Sequence, residues 1–262
     1  MYVAAKGRHP GDEEFLAGYD PGLYERPSVA VDVVVLTVGQ GQLRCLLVRR
    51  AEPPQQGWWA LPGGFAGFGE GLDQAAARVL EIKSGLRGAY LEQLYTFGDP
   101  GRDPRTRVIT VAYIALVDAG RLADVPGEHH HDDVVVASLD VAWPGERGGP
   151  VTARADGDVL PLAFDHADIL GAAVKRLRGK LGYAPVGYEL LPRSFTLRQL
   201  QDIHEAILGR ALNKDSFRRR MLAGGHLRAT GQREADVAYR PAELYRFVKN
   251  TSPRGRKENN DG

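Results

Sequence analysis

The chain contains little cysteine, no long apolar run and almost no net charge, and each shortage restricts what the protein can be. Its 262 residues include a single cysteine, Cys45, so no intramolecular disulfide can form and a reducing cytoplasm is the expected compartment. The first fifteen residues lack the apolar core of a secretory signal, and no stretch approaches the length of a membrane span. We therefore expect a cytoplasmic protein with no membrane partner, organised as one large domain or two ordinary ones.

The formal net charge of +1 hides an uneven distribution along the chain. Residues 193–249 contain twelve Lys or Arg and six Asp or Glu, whereas the remainder contains twenty-two basic and twenty-seven acidic residues. A basic module of this size indicates a nucleic-acid partner, with an ordinary solvated surface as the alternative.

The first 160 residues show a mixed α/β pattern. Apolar, β-branched stretches separated by turn residues predict strands at 28–38, 43–49, 89–97 and 107–117. A helix is predicted at roughly 72–84, closed by Gly85. The stretch 118–161 reads as irregular, with one short strand near 133–138. Its run 129–133 (HHHDD) consists of residue types that can bind a metal ion. Neighbouring residues in an extended loop point in different directions, however, so we predict a polar loop and no metal site.

A long helix is predicted at about 165–182, between the acidic and the basic parts of the chain. Ile169, Ala173 and Leu177 lie on one stripe, and basic side chains occupy much of the remaining surface. The helix either links two domains and packs against a second subunit, or packs entirely within the chain.

Two further helices are predicted in the basic module. Thr196 and Gln199 form a capping box at the start of the first, which ends at Gly209, and Asn213 caps a second helix from 214 to about 223. With Phe217 facing the core, the second helix exposes side chains suited to base edges and phosphates. These are Lys214, Ser216, Arg218 and Arg219, with Arg220 at the core edge.

A strand pair at 226–230 and 238–248, turning around 231–233, completes a helix-turn-helix with a hairpin, which is the winged-helix arrangement. Arg233, Arg240 and Arg246 are its candidates for phosphate contacts. The alternative is a winged helix used only for protein contacts.

Residues 64–86 (GFAGFGEGLDQAAARVLEIKSGL) resemble a Nudix box, whose consensus is G-x5-E-x7-R-E-U-x-E-E-x-G-U, with U a bulky aliphatic residue. The matching positions are Gly64, Glu70, Arg78, Leu80, Gly85 and Leu86. The three acidic positions after the arginine hold Val79, Ile82 and Lys83 instead. In the family those acids bind the divalent metals of hydrolysis, so the resemblance implies a domain that binds a nucleotide-type ligand and leaves it intact.

The three changed positions share one helix face because residues i, i+3 and i+4 do so. Valine and isoleucine offer no oxygen ligand, and Lys83 would repel a cation or contact a phosphate. Glu70 precedes the helix, and Glu81 lies about 100° round it from position 82. We therefore predict no metal site here. The alternative interpretation is a plain amphipathic helix after a Gly-rich turn.

Together, these features resemble one family over residues 28–248, the Nudix-related transcriptional regulators (NrtR). Besides the box, the similar stretches are 160–166 (LPLAFDH), 190–210 (LLPRSFTLRQLQDIHEAILGR), 214–222 (KDSFRRRML) and 244–247 (LYRF). The resemblance implies a homodimeric repressor that binds a palindromic operator in double-stranded DNA. It also implies control of NAD-metabolism or sugar-utilisation genes, relief by ADP-ribose or a related nucleotide, and no required cofactor.

The expected fold is therefore α/β (α+β), with a Nudix-like mixed-sheet sandwich domain followed by a C-terminal winged helix-turn-helix domain. The expected boundaries are an N-terminal segment (1–27), the effector domain (28–162), a linker or dimer helix (163–184), the winged helix (185–250) and a disordered tail (251–262).

Effector contacts are expected around the Nudix loop and the strands that face it. Arginines there can meet phosphates, glycines allow close approach to the backbone, and Trp58 or Trp59 offers a stacking surface, with core packing as the alternative for one of them. The expected contacts are Arg49, Arg50, Trp59, Pro62, Gly63, Gly64, Lys83, Arg102, Arg105 and Arg107.

Two other functions stay open. One is a Nudix hydrolase of ADP-ribose or similar nucleoside diphosphate derivatives with relocated metal ligands. The other is a co-regulator that binds protein and not DNA, for which alanine at Arg218 and Arg219 would leave regulation intact.

Overall fold

A computed structural model describes residues 11–123, 133–235 and 240–248 of the chain. Its first part is built on one mixed sheet in the order β5-β6-β1-β2-β7-β8-β9, with β3 paired to β2 and β4 paired to β1. β1 runs parallel to β6, and the other pairs are antiparallel. The strands are β1 Ser28–Gly39, β2 Gln42–Arg49, β3 Trp59–Ala60, β4 Gly63–Phe65, β5 Tyr90–Phe97, β6 Val108–Leu116, β7 Val134–Asp140, β8 Thr152–Ala155 and β9 Asp158–Val159.

The central strand β1 is buried over eight consecutive residues, 31–38. A strand covered on both faces needs apolar side chains on both, which explains the nearly unbroken valine and leucine run. Cys45, on the neighbouring strand β2, is a buried free thiol, and burial raises its pKa. The cysteine therefore behaves as a small apolar core residue.

Six α-helices accompany the strands in the described residues. The helix bounds are α1 Asp12–Gly18, α2 Leu72–Ser84, α3 Ala119–Ala123, α4 His166–Lys180, α5 Leu197–Leu208 and α6 Lys214–Ala223. Two short 3-10 helices lie at Pro21–Leu23 and Pro185–Leu190. The predicted helices at α2, α4, α5 and α6 are confirmed, and the capping box of Thr196 and Gln199 forms with both reciprocal hydrogen bonds, 2.8 and 3.1 Å long.

The sheet has a hydrophobic core on each side. One contains α2, whose Ala76 and Leu80 pack against β1 and β6. The other is continuous from the sheet through α4 to α5 and α6, because Leu36, Val174 and Ile207 belong to the same buried cluster. Helix α4 is thus packed between the sheet and the winged helix.

The C-terminal part is a winged helix made of α5, α6 and a hairpin of β10 Leu227–Arg233 and β11 Glu243–Phe247. The prediction of its turn at 231–233 is wrong, because these residues lie inside β10. Gly231 has φ 76°, and the register shifts between Ala229 and Arg233. A positive φ in a glycine is typical of a β-bulge as well as of a turn, so the bulge was mistaken for the hairpin tip.

The stretch 118–161 is more regular than expected. It holds α3, β7 and the small β8–β9 hairpin, and only β7 was predicted. The run 129–132 lies outside the described residues. Within the described ranges, no group of three or more His, Cys, Asp or Glu side chains is arranged to hold a metal ion. None of the described helices combines the length and the apolar character that crossing a membrane requires.

Candidate effector cleft and nucleic-acid interface

A cleft of about 490 Å³ opens at one edge of the first domain, bordered by β1, β2, β4, the loops after β2 and β5, and the start of α4. This volume lies within the range of small-molecule sites. Its lining carries four cationic and four acidic side chains, Arg49, Arg50, Lys83 and Arg105 against Asp32, Glu52, Asp103 and Asp133. A ligand that bears both phosphates and hydrogen-bond donors suits such a lining.

Two buried residues, Asp32 and His166, lie at the cleft floor. His166 Nδ1 accepts a hydrogen bond from the backbone N–H of Leu61 at 3.0 Å, so the ring proton of neutral His166 lies on Nε2, 3.7 Å from Asp32 Oδ1. Burial lowers the pKa of His166 and keeps the ring neutral at pH 7. The floor therefore offers a carboxylate acceptor beside an imidazole N–H donor.

One wall of the cleft consists of guanidinium groups stacked on phenylalanine rings. Arg50 lies 4.7 Å from the ring centroid of Phe164, and Arg105 lies 5.7 Å from that of Phe65 and 5.9 Å from that of Phe164. Phe164 has φ 53°, and its N–H donates to Gln55 Oε1 at 2.8 Å, which holds this unusual backbone conformation. The wall combines flat apolar faces with fixed positive charge.

The charges of the wall are tuned by their neighbours. Arg105 binds Asp103 through two side-chain hydrogen bonds of 3.0 and 2.7 Å, which lower the pKa of Asp103 and raise that of Arg105. Burial, followed by the charge of Arg105, lowers the pKa of Arg50. Because Arg50 and Arg105 repel each other, an anion placed near both would relieve that repulsion.

Gly63 and Gly64 line the cleft, and their small size has a structural reason as well. A Cβ on Gly63 would overlap the carboxylate of Asp32, and one on Gly64 would lie 3.2 Å from Val79 Cγ2. The two glycines thus allow β4 to lie directly against Asp32 and helix α2.

The structure brings together six of the ten expected effector contacts, namely Arg49, Arg50, Gly63, Gly64, Lys83 and Arg105. The other four, Trp59, Pro62, Arg102 and Arg107, do not line the cleft. Trp59 packs against the core on the α4 side, which is the core-packing alternative, and Pro62 is buried with its carbonyl accepting from Val33.

Arg102 and Arg107 lie outside the cleft for different reasons. Arg102 is buried and binds Asp165 through Nε (2.9 Å) and Nη2 (2.7 Å), and its Nη2 lies 3.5 Å from Asp32. Its guanidinium is therefore already engaged by the protein and supports the cleft floor from behind. Arg107 is exposed.

Sequence reasoning missed the cleft residues Asp32, His166, Phe65 and Phe164. Asp32 had a detectable signal, because it is an acid inside an otherwise apolar run that forms a buried strand. A charge in such a position needs partners, which makes it a candidate site residue.

The three positions of helix α2 that carry acids in the Nudix consensus differ in their exposure. Val79 is buried in the core, Ile82 is exposed, and Lys83 lines the cleft. Glu70 binds Arg78 at 2.5 Å and accepts from the N–H of Gly67 at 2.7 Å.

The two remaining glutamates of the box are both engaged in ion pairs. The bond from Arg78 is the main cause that lowers the pKa of Glu70 to about 2. Glu81 pairs with Arg87 at 2.6 Å. Within the described residues, neither glutamate belongs to a group of three or more side chains arranged to hold a metal ion.

Helix α6 presents the expected basic face to solvent. Lys214, Ser216, Arg218, Arg219 and Arg220 are exposed, and Arg220 packs over the Phe217 ring at 5.6 Å. Asn213 caps the helix by accepting from the N–H of Ser216 at 3.0 Å. This arrangement is compatible with insertion of α6 into a DNA groove.

The wing adds further basic side chains. Arg240 and Arg246 are exposed, and Arg233 donates to the carbonyl of Pro241 at 3.3 Å. Arg246 is directly opposite the exposed Arg228 across the hairpin, a position that sequence reasoning had not singled out. Like charges in opposed strand positions repel each other, and a phosphate between them would remove this cost.

Comparison with known proteins agrees with this two-part architecture. Residues 26–151 match the family model described as the NUDIX domain, and residues 187–247 match that of the NrtR DNA-binding winged helix domain. The chain is 38% identical over 239 residues to the ADPR responsive transcriptional repressor NtrR of Acinetobacter baylyi, covering 90% of this chain and 88% of that protein.

Two solved structures are also similar. The first is Shewanella oneidensis NrtR complexed with a 27mer DNA, which is 34% identical with a TM-score of 0.67, covering 84% of this chain and 93% of that one. The second is a MutT/nudix family protein from Enterococcus faecalis, at 24% identity and a TM-score of 0.75, covering 92% of this chain and 94% of that one. At this identity, the second shows the fold alone.

A Nudix-type domain with a charged cleft, packed onto a basic winged helix, defines a regulator class in which one part accommodates a small ligand and the other contacts DNA. Within that class, the chain belongs to the NrtR family of Nudix-related transcriptional regulators.

Proposed function

We propose that this protein is a transcriptional repressor whose DNA binding is relieved by ADP-ribose or a related nucleotide in the Nudix-type cleft. The observation that carries the proposal is the 38% identity, over 90% of the chain, to a repressor described as ADPR responsive. Both halves needed for such a response lie within the aligned length. We further propose a cytoplasmic homodimer that binds a palindromic operator near NAD-metabolism genes and requires no cofactor.

The winged helix is the proposed DNA reader. Helix α6 would enter the major groove with Lys214, Ser216, Arg218, Arg219 and Arg220, while the wing contacts phosphates through Arg233 and Arg240. Support comes from their exposure and from the relative solved with DNA. In a dimer, two such helices must lie about one DNA turn apart to read one face of a palindrome.

The cleft is the proposed effector site. Arg49, Arg50, Lys83 and Arg105 would neutralise a diphosphate, and Phe65 and Phe164 offer faces for a base to stack on. Asp32 can accept hydrogen bonds from hydroxyl groups of a ribose. The lining of the cleft would thus contact the phosphates, the base and the ribose of a nucleotide.

We propose that the domain does not hydrolyse this ligand. The hydrolase alternative needs relocated oxygen ligands, but Glu70 and Glu81 are engaged in ion pairs with Arg78 and Arg87. Incubation of the purified protein with ADP-ribose and Mg²⁺ or Mn²⁺ tests this directly. Product that disappears in the double variant Glu70→Gln, Glu81→Gln would establish the hydrolase instead.

The experiment that tests the proposed function is DNA binding at fixed salt, with and without ADP-ribose. The probe is DNA upstream of the protein's own gene neighbourhood. Tight binding released by ADP-ribose supports the full proposal. Binding that ignores ADP-ribose keeps the repressor and moves the effector to sugar phosphates or other nucleotides. No specific binding favours the hydrolase or the protein-binding co-regulator.

A further inference from the structure

Helix α4 begins at the cleft floor. Its first residue, His166, lines the cleft and is fixed by the hydrogen bond from Leu61, and the preceding residue, Asp165, is bound by Arg102. Arg102 also lies 3.5 Å from Asp32 of the floor. A ligand that contacts His166 therefore acts directly on the start of α4, and one that contacts Asp32 acts on it through Arg102 and Asp165.

The other end of α4 holds the winged helix. Arg178, in the last turn of α4, is buried and donates to three backbone carbonyls. Nε donates to Ile207 at 2.8 Å, and Nη1 donates to Trp143 and Gly145, each at 3.0 Å. Ile207 lies in the last turn of α5, where free carbonyls and the helix dipole favour a cation.

Between these ends, α4 is a continuous helix clamped along its length. His166 and Arg178 are twelve residues apart, which is about 18 Å along a helix. The N–H of Val151 donates to the carbonyl of Ala167 at 3.2 Å, and the carbonyl of Gly149 packs directly on Gly171. A displacement at one end of such a helix reaches the other end because packed helices move as units.

We propose that α4 transmits the occupancy of the cleft to the winged helix, with Asp165 and His166 receiving the displacement and Arg178 delivering it to the end of α5. This inference rests on the proposed function, because it concerns how ADP-ribose weakens DNA binding. The three are positioning residues. The end of α5 leads through a short turn into α6, so a shift of Ile207 changes how α6 is presented to DNA. ADP-ribose must favour one arrangement of α4 over the other for the two sites to be coupled.

The test uses the full chain with Arg178→Lys. Lysine keeps the charge and the apolar stem but cannot donate to three carbonyls in the planar geometry of a guanidinium. We expect the affinity for ADP-ribose without DNA, and for the upstream DNA without ADP-ribose, to stay within about threefold of the unsubstituted protein. The factor by which ADP-ribose weakens DNA binding, about 5- to 150-fold in typical coupled systems, should fall below about twofold.

Arg176→Gln is the matched control on the same helix. Arg176 binds Glu92 at 3.3 Å and donates to the carbonyl of Leu94 at 2.9 Å, and both partners lie in β5 of the sheet. Its loss should leave the coupling factor unchanged. Equal loss of coupling in both variants would overturn the assignment of Arg178, since any loosening of α4 would then suffice.

Hydrogen exchange on the unsubstituted full chain gives a second readout that needs no variant to fold. Addition of ADP-ribose should change amide exchange in the last turns of α4 and α5 as well as around the cleft. Changes confined to the cleft would overturn the inference, as would full coupling in Arg178→Lys. If ADP-ribose binds but does not release DNA from the unsubstituted protein, the assignment of ADP-ribose as the effector is wrong, and this inference, which depends on it, is wrong as well. If ADP-ribose releases DNA equally from the unsubstituted protein and from Arg178→Lys, only this inference is wrong and the proposed function stands.

Discussion

The guanidinium of Arg102 and the carboxylate of Asp165 form two hydrogen bonds, of 2.9 and 2.7 Å, across 63 positions of sequence. The pair joins the loop after β5 to the start of α4, directly behind Asp32 of the cleft. An arginine that sequence analysis assigned to the ligand thus binds the protein itself.

Replacement of Arg102 by alanine should therefore destabilise the protein. It leaves two largely buried carboxylates, Asp165 and Asp32, without their cation, and removing one partner of a buried pair costs about 3–5 kcal/mol. Urea unfolding measures the change. The exposed Arg107→Ala is the control and should stay within about 0.5 kcal/mol of the unsubstituted protein. If the Arg102→Ala protein has normal stability but no longer binds ADP-ribose, Arg102 contacts the ligand, as the sequence predicted.

Arg105 and Arg107 form a matched pair for the effector site, because only Arg105 lines the cleft. Arg105→Gln should weaken ADP-ribose binding about tenfold or more, since a charge-assisted contact is lost and Asp103 loses the guanidinium that it binds. Calorimetric titration provides the affinity, and DNA binding without ADP-ribose should not change. Arg107→Gln should bind ADP-ribose normally. The reverse ranking would contradict the assignment of this cleft.

On helix α6, Arg218→Ala and Arg219→Ala should each weaken binding to the upstream DNA. If a replaced arginine contacts a phosphate, the slope of log affinity against log salt should fall by about one. If it pairs with a guanine edge, discrimination at one base pair should fall by about 1–3 kcal/mol. The control is Arg121→Ala, which replaces an exposed arginine of α3 in the other domain. Unchanged binding in both α6 variants would favour the co-regulator that contacts protein.

Gly171 and Gly179 lie in the same helix and should respond oppositely to alanine. In a helix interior, Gly→Ala ordinarily stabilises by about 1 kcal/mol. At Gly171 the new Cβ would overlap the carbonyl oxygen of Gly149, so we expect a loss of about 1–3 kcal/mol. At Gly179 it would meet only the end of the flexible Glu146 side chain, at 2.9 Å, so stability should be kept or slightly raised. Thermal unfolding of the two variants measures both effects.

Stability should fall between pH 7 and pH 5 because of His204. Burial, and after it the charge of Arg220, lowers the pKa of His204 to about 4 in the folded protein. In the unfolded chain the histidine has a pKa of about 6.5 and is protonated below that pH, whereas in the folded protein it stays neutral until the pH approaches 4. This stabilisation is complete above pH 6.5 and is lost as the pH falls towards 4. At pH 5 the loss of stability amounts to about 2 kcal/mol.

His204→Gln isolates that contribution. The free energy of unfolding of the variant should depend less steeply on pH, although His166, whose pKa is also lowered by burial, keeps its own share. Urea unfolding at pH 5, 6 and 7 on both proteins gives the comparison. Parallel pH curves would contradict the assignment.

Local signals made the four helices α2, α4, α5 and α6 predictable. The residues that end or begin them act within one turn, as with Gly85 at φ 67° after α2 and the Thr196–Gln199 box before α5. The long strands were predictable for a related reason, because a run such as β1 must be apolar to be buried on both faces. The two-residue β9 and its partner β8 are too short to impose such a pattern.

The cleft was only partly predictable because its chemistry depends on distant partners. Arg102 and Arg105 look alike in sequence, yet the partner of Arg102 is 63 positions away and that of Arg105 is two positions away. His166 becomes a cleft residue only because Leu61, 105 positions earlier, lies beside it. No period or spacing of a single chain contains this information.

Because Leu36, Val174 and Ile207 belong to one shared core, neither half of this regulator can be removed or exchanged without exposing the other. Removing the winged helix would leave an apolar face of the sheet and of α4 bare to water, and such surfaces drive aggregation. The two halves should consequently melt together, in one cooperative event. Exchange of the DNA-reading half for that of another regulator would succeed only if the residues that bury against α4 were exchanged with it.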